Sequence, residues 1–212
     1  MKKLNLLSCL NFRAFFLDKQ SYLLKYLIIL LSFFFLQINS QTNQDISDAA
    51  LSIINPEIEY ISEYVSLNYP NGDVDPQKGV CTDVIVRALR EIGIDLQKEI
   101  HEDMKDNFSY YPQLWGHSGA DKNIDHRRVP NQMRYFERQG KSLNITNDAE
   151  NYKPGDIVAY DLGGGTTHIA IVVDVKSDDG ERNQIVHNIG GGQVMEDTLF
   201  SYHKIIGHYR LF

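Results

Sequence analysis

In this chain of 212 residues, 28 acidic side chains against 21 basic ones give a formal charge of −7. Without a basic stripe it is a poor candidate for nucleic-acid binding, where phosphate contacts dominate affinity. Its length and 42% apolar content suit one domain with a single core, and no internal repeat, heptad or long low-complexity tract divides it.

The N-terminal stretch holds Lys2, Lys3, Arg13, Lys19 and Lys25 and leads into "YLIILLSFFFLQINSQ", where Leu27 to Leu36 is apolar except for Ser32. That run falls short of the roughly 20 apolar residues a membrane span needs. A basic region, a short apolar core and the small Ser40 predict a secretory signal over 1–40, with an uncleaved anchor as the alternative and the only expected membrane contact. A lipoprotein signal ending at Cys9 fits less well, because almost no apolar core precedes it. Taking the five basic residues and one acidic residue of 1–40 from the totals leaves a net charge of −11. Cys81 then remains as a lone cysteine. Structural cysteines of exported proteins usually pair, so Cys81 is a buried small hydrophobe, an intermolecular partner or a reactive thiol.

Residues 41–68 read as a helical lead-in, and "YPNGDVDPQKG" as a turn-rich stretch. From Val84 the apolar residues Ile85, Ala88, Leu89 and Ile92 recur at helical spacing, and Gly93 stops the helix. Cys81 is thereby placed at the helix's N-terminal edge, where free N–H groups and the macrodipole favour an anion and lower a thiol pKa. The polar part of "IHEDM", His101 to Asp103, either orients a substrate or caps a turn. A loop holding Trp115, His117, Asp121, Asp125, His126, Arg127 and Arg128 follows. Its arginines either grip substrate carboxylates or tie the loop down through salt bridges. Pro130 opens a further helix that ends before Gly140.

"YKPGDIVAYDLGGGTTHIAIVVDV" predicts strands over Asp156–Tyr160 and His168–Val175, the second apolar enough to be buried on both faces. A further β-branched run carries His187 before a turn at Gly190–Gly192. If the two His-bearing strands pair as antiparallel neighbours, their imidazoles share one face. Neither glycine run shows a phosphate-loop pattern, so both read as hairpin turns.

A cysteine at a helix start, followed by "PGDIVAY", "HIAIVVD" and "IVHNIG", resembles the papain-like cell-wall cysteine peptidases of the NlpC type and the CHAP-type amidases. Their usual "DCSG" is replaced here by "VCTD". More closely, "YPNGDV", "GVCTDV", "HEDM", "NIDHRRVPN", "PGDIV", "HNIG" and "GHYR" resemble a bacterial domain-of-unknown-function family numbered 1287, over roughly Tyr69 to the C-terminus. The resemblance implies an α+β, papain-like hydrolase domain over 69–212, with helices carrying the cysteine ahead of an antiparallel sheet carrying the histidines. It implies Cys81 as nucleophile and His168 as base, with His187 as the orienting residue in preference to the adjacent Asn188. Tyr69 would stand near the oxyanion or serve as a packing aromatic. Asp83, Trp115, Asp125, His126, Arg127 and Arg128 complete the candidate substrate-binding set. The expected partner is peptidoglycan or another amide-containing envelope substrate, with no cofactor and no metal. Two rivals stand beside this reading. One is a non-catalytic peptidoglycan-binding module on the same fold, and the other a metal hydrolase in which His101, His126, His168 and His187 converge.

Overall fold

A computed structural model describes Lys25, residues 40–202 and residues 204–212. Apart from Lys25 and Ser40, the expected export segment lies outside the described residues. Among those described, no helix is long and apolar enough to cross a membrane.

Helix α1 (Asn43–Ser52) starts in a capping box, with Thr42 Oγ1 accepting the Asp45 N–H while the Asp45 carboxylate accepts the Thr42 N–H. The chain then forms two short parallel strands, β1 (Glu59–Tyr60) and β2 (Lys78–Gly79). Helix α2 (Cys81–Glu91) follows at once and buries the predicted stripe of Val84, Ile85, Ala88 and Leu89. Helix α3 (Leu96–Asn107) is capped by Asp95, which accepts the Lys98 N–H, and α4 (Val129–Arg138) has Pro130 in its first turn.

The C-terminal half is one antiparallel sheet of β3 (Ile157–Asp161), β4 (Thr167–Lys176), β5 (Asn183–His187), β6 (Val194–Glu196) and β7 (Lys204–Tyr209). The spatial order is β6-β5-β4-β3-β7. One face, with Ala159, Ile169, Ile171 and Val186, joins the core formed with α1, α2 and α4. The other, with Val158, Tyr160, Ala170 and Ile185, closes under Tyr152 and Leu199. Strand β4 is therefore covered on both sides, which accounts for its unbroken apolar run. Gly163, Gly164 and Gly165, with φ of +86°, +63° and +82°, form the β3–β4 hairpin loop, a conformation that L side chains rarely adopt. The architecture is α+β, with the cysteine on a helix ahead of the antiparallel sheet that bears the histidines.

Candidate active site

Cys81 is the first residue of α2 and is 4% exposed. The Ile169 N–H of β4, the Thr82 N–H of its own helix and the hydroxyl of Tyr60 lie near enough to its sulfur to favour the thiolate. Tyr60 arrives there because β1 pairs with β2 in a register that sets Tyr60 opposite Gly79, two residues before the cysteine. Burial pushes the Cys81 thiol up to about 11, and the nearby Asp83 carboxylate adds to the rise, while the three donors pull it back. The expectation that the helix start would lower this pKa is thus overturned. Loss of hydration outweighs the favourable position. Burial likewise pushes Tyr60 up to about 12, with the sulfur beside it adding to the rise.

The β4–β5 register pairs Ile171 with Val186, so His168 and His187 project from the same face, and Asn188 from the opposite one. His168 Nε2 lies 2.8 Å from His187 Nδ1, with both rings buried. Tyr160 stacks on His168 at 6.0 Å, and the Tyr202 hydroxyl lies 3.3 Å from His187 Nδ1. Burial, with a smaller contribution from His187, pushes His168 down to about 3. It also lowers His187, against the pull of Glu196. Asn188 instead donates to the Gly79 carbonyl at 3.5 Å and accepts the Gly190 N–H at 3.0 Å, a turn-holding role. The thiol approaches β4 from the helix side and the imidazoles lie on the other. The two are near neighbours along the strand, since Ile169 on the helix side follows His168 on the other, but no hydrogen bond joins Cys81 to His168.

Other expected site residues fall elsewhere. Tyr69 donates its hydroxyl to Glu102 and packs edge-on against His101 at 5.1 Å, so Tyr60 takes the position beside the thiol. Asp83 and Arg127 form a buried bidentate pair, at 2.8 and 3.0 Å, with side chains only 3% and 2% exposed. This pair cannot grip a substrate; it ties α2 to the loop carbonyls of Ile61 and Glu63, which Arg127 also binds. Asp125 is buried, accepts the Asp121 N–H and pairs with Arg128 at 3.6 Å; burial raises its pKa. His126 is buried at the turn before α4 and burial pushes it down to about 4. Arg128 lies over the half-exposed Trp115 at 4.0 Å and contacts His117 at 3.0 Å, making a surface cluster in which the guanidinium is already engaged. The four histidines of the metal reading do not converge: His101 is on Tyr69, and His126 is in its own turn.

Two residues of the site were missed in the sequence. Tyr60 lies on a two-residue strand without a periodicity to announce it. Glu196 accepts from His187 Nε2 at 3.0 Å. The β5–β6 hairpin sets Val194 opposite His187 and so puts Glu196 on the imidazole face; extending the strand reading past Gly192 would have exposed it.

A family model described as Domain of unknown function (DUF1287) matches residues 47–211. The chain belongs to this family. "Uncharacterized protein YijF" of Escherichia coli (strain K12) is 46% identical over 176 residues, covering 83% of this DUF1287 chain and 85% of its own. Among solved structures, an N-acetylmuramoyl-L-alanine amidase from Bacteroides uniformis superimposes with a TM-score of 0.48 at 13% identity, over 80% of this chain and 98% of that one. A likeness at that level decides neither fold nor activity. The DUF1287 match begins inside α1, whose Ile46, Ala49 and Ala50 share the core of Cys81 and Ile169.

Proposed function

We propose that the protein is an exported cysteine hydrolase of papain-like type that cleaves an amide bond, with peptide stems of peptidoglycan as the favoured substrate. The observation that carries this reading is the buried pair His187–His168 at the start of β4, where the amide of the next residue, Ile169, lies near the Cys81 sulfur. His168 Nε2 is taken by His187, which leaves Nδ1 for the thiol. As sulfur attacks the amide carbonyl, His168 accepts its proton, and the oxyanion is held by the Cys81 backbone N–H and the Tyr60 hydroxyl. The imidazolium then protonates the leaving amine. Water, deprotonated by His168, attacks the thioester and releases the acid and the free thiol. A groove of about 510 Å³, walled by Phe200, Tyr202, Lys204 and Ile145, reaches the His187 surroundings through Tyr202 but is not lined by Cys81 or His168.

The burial of Cys81 favours the rival reading of a binding module. Incubation of the purified protein with peptidoglycan fragments, followed by mass spectrometry, separates the two. The expected result is new amine and carboxyl termini with wild type and none with Cys81→Ala or His168→Ala. Binding of the fragments without cleavage by wild type would establish the module instead.

A further inference from the structure

We infer that Glu196 is a positioning residue that fixes, through His187, the tautomer of His168. The catalytic consequence rests on the hydrolase reading above; the tautomer itself does not. A carboxylate only accepts, so the 3.0 Å contact from Glu196 Oε2 places the His187 proton on Nε2. Neutral His187 then presents a lone pair at Nδ1. His168 Nε2, 2.8 Å away, must be the donor, while the Tyr202 hydroxyl, which can donate or accept and so fixes neither tautomer, lies 3.3 Å from the same atom. Neutral His168 is thereby left with its lone pair on Nδ1, the nitrogen a thiol proton requires. Neither ring has an independent partner that imposes this order: His168 is enclosed by Tyr160, Tyr202 and His187. The direction of the whole row is set at its outer end, where the Glu196 side chain is 45% exposed beside a fully buried imidazole. Without the carboxylate, His187 is free to hold its proton on Nδ1. His168 would then accept at Nε2 and carry its own proton on Nδ1, unable to act as base.

The test is long-range ¹H–¹⁵N correlation of the imidazole nitrogens in the full-length protein at neutral pH, for wild type and Glu196→Ala. Wild type should show His168 and His187 as single Nε2–H tautomers, and Glu196→Ala should show Nδ1–H populations in both. An Nδ1–H form of His168 in wild type, or unchanged tautomers in the variant, would overturn the inference. This readout is independent of turnover, so absence of hydrolysis would sink the proposed function and leave the tautomer question decided. If hydrolysis is found, Glu196→Ala should lower kcat by at least about tenfold with little change in KM. An unchanged kcat would also overturn the role.

Discussion

Cys81 combines the most favourable backbone position for a thiolate with nearly complete burial, and the burial is the larger effect. Both partners of the proposed pair rest uncharged, because removal from water raises the thiol to about 11 and lowers His168 to about 3. The reactive thiolate of the resting protein therefore accumulates only as pH rises toward 11. Iodoacetamide labelling followed by mass spectrometry from pH 6 to 11 should show a rate still climbing above pH 9. Tyr60→Phe should move the curve further up, since the tyrosine hydroxyl is one of the donors that stabilise the anion. A midpoint below about 8.5 would mean that the helix terminus prevails after all. The elements that carry Cys81, His168 and His187 were legible because each has a clear period: a helical stripe after Cys81, apolar strands around His168 and His187. The tyrosine was not. Tyr69 stood at a plausible distance in sequence, but the parallel pairing of two two-residue strands brings in Tyr60, and nothing local encodes such a pairing.

At the scale of elements, the Asp83–Arg127 pair links the start of α2, the turn before α4 and the segment that carries Tyr60. Asp83 accepts the Val80 N–H as well, so one carboxylate serves the helix terminus and the ion pair together. Removing one member of a buried pair leaves the other charge without compensation, at a cost of about 3–5 kcal/mol. Arg127→Met should therefore lower unfolding stability in urea by roughly that amount. Pairing it with Asp83→Leu should recover only part, because the Ile61 and Glu63 carbonyls and the Val80 N–H would still lack their partners. Full recovery would show that those bonds are dispensable. The "HEDM" string illustrates why such roles escape a linear reading. It lies within α3, where Glu102 holds Tyr69, Asp103 accepts from Arg138 at 2.7 and 3.0 Å, and Met104 enters the core. Its partners are 33 and 35 residues away, so the string marks helix docking without showing what is docked.

For the molecule as a whole, acid exposes the cost of building a polar site inside the core. His168 and His126 remain neutral in the folded state down to about pH 3 and 4, and burial lowers His187 as well. In the unfolded chain the same rings take up protons near pH 6.5, so the unfolded state binds more protons below that value and stability falls with pH. Each strongly shifted histidine contributes on the order of 1–2 kcal/mol of loss by pH 5. Asp125 opposes this, since its raised pKa favours the folded state as acid is added. Below about pH 4 the lowered carboxyls join the loss. Asp156, for instance, is held ionised by His208 at 2.8 Å and Arg210 at 2.7 Å, a clamp between the Pro-Gly turn and β7. Urea unfolding at pH 7, 6 and 5 should thus give a midpoint that declines steadily over the range. His126→Leu, which removes one titrating ring outside the imidazole pair, should flatten the decline without abolishing it. A midpoint that stays constant from pH 7 to 5 would mean that the buried rings are protonated in the folded protein, and a neutral His168 ready to accept the thiol proton would be lost with them.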